Sequence, residues 1–186
     1  MTDAQLVWLI PQCIAGNQEA IEMLVRQYEA GVFRLALSIV GDRAEAAEIT
    51  QETFIAALQS LRRYQEKQTF RAWLYTIALN QSRSRLRKQK VIERLQTTLS
   101  GIFRLESQTQ KTPEEALLQN EKEAAIWNSL KQLNEQHRIV VILRYFHDLS
   151  IAEISEILTV NEGTIHSRLH TAREKLRNSL NHLHGD

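Results

Sequence analysis

Apolar residues spaced three and four apart dominate this chain, and helices that each bury one side are the fold that satisfies such spacing. From Glu19 onward the pattern runs through Ile21, Leu24, Val25, Tyr28, Val32, Phe33, Leu35, Ala36 and Ile39. A strand would need alternation at every second residue instead. Gly41 and Asp42 interrupt the pattern, and Asp42 is placed to cap a second helix running to about Leu61. That helix turns Ala46, Ile49, Thr53, Phe54, Ala57, Leu58 and Leu61 inward and Glu45, Glu48, Gln51 and Glu52 outward. A third helix begins near Thr69. Two prolines and six glycines in 186 residues leave no turn-punctuated strands, so the expected fold class is all-α.

Two small helical domains are expected, over residues 1–90 and 114–186. After Lys90 the composition shifts to Gln, Thr and Ser, which marks residues 91–113 as a linker. It is not purely polar, since Val91, Ile92, Leu95, Leu99, Ile102 and Phe103 form an apolar helical stripe. Thr112, Pro113 and Glu115 then read as the cap and first turn of the next helix. The opening apolar run, Leu6 to Ile10, is five residues long and stops at Pro11 and Gln12, so neither a signal peptide nor membrane insertion is expected, and the expected location is cytoplasmic.

Charge is distributed unevenly beneath a net value of +1. Residues 1–61 hold 3 basic and 8 acidic side chains, whereas 62–94 hold 10 basic and 2 acidic. Such polarity points to two partners, one basic and one polyanionic. Glu48, Gln51 and Glu52 share one helical face, which suits a basic partner, although a merely solvated face has the same pattern. Arg83, Arg87, Lys90 and Arg94 line up every three or four residues, with Arg62, Arg63, Arg71 and Lys88 nearby, and polyanion contact is their expected use. Phe70 and Trp73 share a stripe with Leu74 and Ile77 and are expected in the core; Tyr64 and Tyr75 lie off it.

The second domain carries the most specific motif. An apolar helix ends at His147-Asp148-Leu149, and Ser150-Ile151-Ala152-Glu153 reads as a capping box. Ile151, Ile154, Ile157 and Leu158 form one apolar face, Thr159-Val160-Asn161 make a tight turn, and a further helix starts at Glu162. There Ile165, Leu169, Ala172, Leu176 and Leu180 point inward, while Thr164, His166, Ser167, Arg168, His170, Thr171 and Arg173 point outward. This is a helix-turn-helix whose outer residues suit a major groove and its phosphates.

The segments Leu149–Ile154 and Asn161–Leu176 resemble the C-terminal promoter-reading domain of the extracytoplasmic-function sigma factors of bacterial RNA polymerase. Ala47-Glu48-Ile49-Thr50-Gln51-Glu52-Thr53-Phe54 resembles that family's polymerase-binding helix, and Phe70–Asn80 its minus-ten-reading helix. The resemblance spans nearly the whole chain. It implies that Glu48, Gln51 and Glu52 meet the coiled coil of the polymerase's largest subunit. It implies that Tyr64, Arg71, Asn80, Arg83, Arg87, Lys88 and Lys90 serve the minus-ten element, with Asn80 holding a flipped base through a carboxamide that both donates and accepts. The seven outward residues of the last helix would serve the minus-thirty-five element. Core RNA polymerase, promoter DNA and an anti-sigma factor are the implied partners.

Several positions depart from the family pattern. Leu79 stands for a common Arg, Arg83 for an apolar residue and Ser84 for a common Asp, which implies an unusual minus-ten sequence. His166 and Thr171 stand where Lys or Arg is common, which implies a weaker minus-thirty-five contact. Thr159 replaces a frequent Gly, so the turn is expected to avoid a left-handed conformation.

A conventional helix-turn-helix regulator with an N-terminal sensor or dimerisation domain is the competing reading. The basic, aromatic-bearing helix over 62–90 argues against it, because a sensor domain does not need a second DNA-reading surface. Catalysis is unsupported: there is no nucleophile elbow, phosphate loop or partnered carboxylate pair. Cys13 has no disulfide partner, and neither it nor the six histidines, His182 and His184 included, have zinc-site spacing, so no cofactor or metal is expected.

Overall fold

The computed structural model describes residues 3–65, 69–103, 128–130 and 132–183. The first half holds α1 (Asp3–Ile14), α2 (Gln18–Val40), α3 (Arg43–Ser60), a short 3₁₀ turn (Leu61–Arg63) and α4 (Phe70–Phe103). The second holds α5 (Glu135–Val141), which passes into a π-helical turn (Ile142–Phe146), then α6 (Ile151–Leu158) and α7 (Glu162–Leu183). Every described element is helical.

Local chemistry sets the helix ends. Asn17 starts α2 by accepting from the Ala20 N–H, and Gly41 ends it at φ 80°, donating its N–H to the Leu37 carbonyl at 2.8 Å. Asp42 starts α3 by accepting from the Glu45 N–H at 2.7 Å, as expected. α2, α3 and α4 pack through buried Leu24, Val32, Leu35, Ile49, Leu74 and Leu79; each such side chain contributes about 1.5–3 kcal/mol by leaving water. α1 lays Leu6, Leu9 and Cys13 on this unit, with Pro11 tolerated in its last turn.

α4 extends beyond the expected linker boundary, remaining helical to Phe103. Gln, Thr and Ser are tolerated in a helix, and Gly101 is the single breaker before that end, so the composition change after Lys90 is a change of surface and not of backbone. The expected linker from 104 onward, together with Thr112, Pro113 and Glu115, lies outside the described residues.

In the second half the capping box forms as the sequence predicts: Ser150 Oγ accepts from the Glu153 N–H, and the Glu153 carboxylate accepts from the Ser150 N–H at 2.8 Å. The turn after α6 corrects the expectation for Thr159, which is left-handed at φ 54°, ψ 47°. Its N–H donates to the Glu156 carbonyl, the Val160 N–H donates to Ser155, and the Ser155 hydroxyl donates to the Val160 carbonyl at 2.6 Å. These bonds hold Thr159 where a glycine would be unstrained. α7 then rests on buried Ile165, Leu169 and Ala172, with Leu176 partly buried. The apolar residues of the two halves join into one continuous core, where two separate ones were expected.

Candidate polymerase and nucleic-acid interfaces

The acidic face of α3 forms because Ala46, Ile49, Thr53 and Phe54 bury the opposite side. Glu48, Gln51 and Glu52 are all exposed along it, as their spacing predicts. The sequence reading missed a cation there: Arg85 of α4 donates from Nη1 to Glu48 at 2.9 Å and from Nη2 to Glu52 at 3.0 Å. One guanidinium fork thus holds both carboxylates side by side, and both glutamates stay exposed. Helical phase was the signal for it, since residue 85 lies about 200° around α4 from Arg83 and so faces α3. One turn further along α3, Ile55 is 56% exposed, an apolar residue bordering an acidic face.

α4 does not present its basic residues as one free stripe. Arg87, Lys88 and Lys90 are exposed, and so is Asn80. Arg71 and Arg83, however, bond to the second half of the chain. Arg71 Nη2 donates to Glu153 at 3.0 Å, and Arg83 Nε donates to Glu135 at 2.9 Å. Burial pushes the Glu153 carboxyl upward, but bonds from Ser150 and Arg71 outweigh it and hold the group below the usual glutamate range. Between the two pairs, Tyr75 meets His147 edge-on at 5.3 Å between ring centres. His147 is buried; desolvation, with the nearby Arg34 and Arg71 cations, lowers its pKa to about 4 against a weak opposing pull from Asp148.

The aromatic residues at the start of α4 are structural. Phe70 is buried and Trp73 packs partly buried beside it, as expected. Tyr64, which the family resemblance implied for DNA, lies in the same cluster at 5.3 Å from both rings, off the helical stripe in sequence but on the core in space. Tyr75 is buried as well, closely opposite Gly31 of α2, where a Cβ would stand 2.5 Å from the phenol oxygen.

On α7 the outward residues divide by depth. His166, Ser167, His170 and Arg173 are exposed, whereas Thr164, Arg168 and Thr171 are half-buried. Asn161 fixes the start of the helix by accepting from both the N–H and the hydroxyl of Thr164 at 2.8 Å. Thr164 is therefore partly a capping residue. Among the described residues no cluster of His, Cys, Asp or Glu could hold a metal, and no helix is long and apolar enough to cross a membrane.

Residues 24–91 match the family Sigma-70 region 2, and residues 123–176 match Sigma-70, region 4. The chain is 33% identical to an ECF RNA polymerase sigma factor of Bacillus subtilis, SigW, over 94% of its own length and 96% of that protein's. It is 30% identical to the RNA polymerase sigma-H factor of Pseudomonas aeruginosa, covering 98% of this chain and 97% of that one. Two solved structures share the fold. CnrH in complex with the cytosolic domain of CnrY has a TM-score of 0.69 at 24% identity, covering 93% of this chain and 95% of CnrH. RpoE of Bartonella quintana, in complex with the anti-sigma factor NepR, has a TM-score of 0.65 at 23% identity over 86% and 96%.

Proposed function

This chain belongs to the extracytoplasmic-function sigma factors of the sigma-70 family, which bind core RNA polymerase and direct promoter-specific transcription initiation, and we infer that three of its surfaces divide that work between them. The exposed carboxylates Glu48 and Glu52, with Gln51, dock on a basic surface of core polymerase. Asn80, Arg71, Arg83, Arg87, Lys88 and Lys90 serve the minus-ten element, with Tyr64 supporting them from the aromatic cluster. The outer face of α7 serves the minus-thirty-five element: His166, Ser167 and His170 reach base edges, Thr164 and Thr171 stand beside them, and Arg168 and Arg173 hold phosphates. Region 2 within residues 1–90 and region 4 within 114–186 would be the working units. An anti-sigma factor, the partner of RpoE in its solved complex, is the class of inhibitor proposed for this chain too.

The observation that carries this reading is the separation of charge: an exposed acidic face on α3, an exposed basic stretch on α4 and a capped helix α7 whose polar residues stand clear of its buried ones. The test is binding of the full chain to core RNA polymerase. Reversing Glu48 and Glu52 to Lys is expected to weaken it in a salt-dependent way with helicity intact by circular dichroism. Unchanged affinity would remove α3 from the reading.

A further inference from the structure

Ala78 and Ser82 of α4 are fully buried, and the next residue on their stripe is Arg85. An arginine at the end of a buried stripe keeps its stem covered and puts its charged head at the rim. The Arg85 side chain is 27% exposed, the least of any arginine in an ion pair among the described residues, while Glu48 and Glu52 are 61% and 48% exposed. The cation is therefore the fixed member of this cluster, and the acids are the members open to a partner. Its field reaches one turn back along α3 as well. Burial, with Asp42 and Glu48, holds the Glu45 carboxyl above the usual glutamate range, and Arg85 pulls it the other way.

Glu48 and Glu52 stand one turn apart on one helical face, and like charges at that spacing repel. Without a cation between them each carboxylate would spread over several rotamers, and a partner that needs both would have to order them on binding. Arg85 removes that step. Each carboxylate takes a different nitrogen of one planar group, Nη1 at 2.9 Å and Nη2 at 3.0 Å, so the width of a guanidinium sets their separation. From this geometry we propose that Arg85 is a positioning residue for polymerase docking, which holds Glu48 and Glu52 as a paired acceptor for a basic surface of core RNA polymerase. The proposal rests on the reading of α3 as the polymerase-facing helix. Arg85 also cancels one of the two negative charges, which weakens long-range attraction to a basic partner. It therefore slows encounter and prolongs residence, two effects of opposite sign on affinity that a bystander ion pair would not show.

The test follows association and dissociation of the full chain with core RNA polymerase in the absence of DNA. Arg85→Met keeps the covered stem and removes the fork. It is expected to associate about twofold faster at low salt, from the uncompensated negative charge, and to dissociate about tenfold faster, from the two side chains left to be ordered. Arg85→Lys keeps the charge but offers a point cation in place of the planar fork, so it is expected to associate like the wild type and still to dissociate about threefold faster. In a Glu48→Ala, Glu52→Ala background, Arg85→Met is expected to change dissociation no further, because a residue that acts through two carboxylates then has nothing to hold. Unchanged dissociation of Arg85→Met, full rescue by Arg85→Lys, or equal acceleration in the alanine background each overturns the proposal. A loss of affinity carried by slower association overturns it too. Urea midpoints of the same variants separate these rates from folding, since a purely structural ion pair would lower the midpoint and leave both rates alone. The alanine pair by itself tests the underlying reading: wild-type affinity would remove α3 as the docking face. Weaker binding of that pair with normal dissociation of Arg85→Met would overturn the positioning role alone.

Discussion

α4 and α7 carry the two candidate DNA-reading surfaces, built from similar residue types and left in different conditions. On α7 the exposed His166, Ser167, His170 and Arg173 face away from the rest of the chain. On α4 Arg71 and Arg83 are tied to Glu153 and Glu135, and Arg85 is tied to Glu48 and Glu52. The number of cations on a helix therefore says little about how many are free to meet a polyanion. Availability depends on which carboxylates the fold brings within hydrogen-bond reach, and one surface here is open while the other is half engaged.

Acidification should break this contrast most strongly, because His147 lies against Tyr75 within the contact. Its pKa is lowered to about 4, by burial first and then by Arg34 and Arg71, with Asp148 pulling weakly the other way. A histidine held neutral in the folded state loses stability as pH falls from its unfolded value near 6.5 toward 4. The full span is worth about 3 kcal/mol, and about 2 kcal/mol of it should be gone by about pH 5. Glu153 adds its own loss only below the ordinary glutamate range. Urea midpoints at neutral pH and at about pH 5 measure the effect, and His147→Gln should flatten it.

The open surface should respond to sequence without any rearrangement. Ser167→Ala removes no core volume and is expected to cost about 1–3 kcal/mol of holoenzyme binding on a preferred minus-thirty-five element, and much less on a scrambled one. Arg168→Ala should weaken both DNAs alike. Equal losses for all variants on both DNAs would mean that α7 positions the domain without reading bases.

A smaller effect is expected in the turn that aims α7. Thr159→Gly should relieve the left-handed strain and stabilise the second half by about 1 kcal/mol, seen as a raised thermal midpoint. The smallest change is expected on α3. Arg85→Met should cost only a few tenths of a kcal/mol in global stability, because both carboxylates remain open to water and methionine keeps the packing of the half-buried arginine stem. Its value lies in core polymerase binding, where a faster dissociation rate would show that Arg85 holds the two carboxylates in position.

What was legible in the sequence was local. Asp42 as a cap, the Ser150–Glu153 box, the buried faces of α2, α3 and α7 and the outward direction of Glu48, Gln51 and Glu52 all follow from neighbours within about four residues. The engagement of Arg71 and Arg83 was not legible, because their partners lie 82 and 52 residues away and nothing in a glutamate at position 153 or 135 announces an arginine. Tyr64 lies off the stripe in sequence, yet in space it packs on Phe70 and Trp73, a contact that helical phase alone does not announce. Thr159 failed differently, since its propensity was read correctly and the hydrogen bonds that close the turn between residues 155 and 160 overrode it.

The length of α4 bears on how the second half can leave and return. From Arg71 to Phe103 the helix runs about 48 Å as a rigid arm, directed away from the end that docks. The second half is tied to the first by the covalent chain itself. Tethering of this kind turns docking into a unimolecular event with a local concentration in the millimolar range, independent of how much protein is present. Dilution cannot open the molecule, so a competitor for α4 must win through its own affinity or through the local concentration it gains once held beside the chain on a shared scaffold.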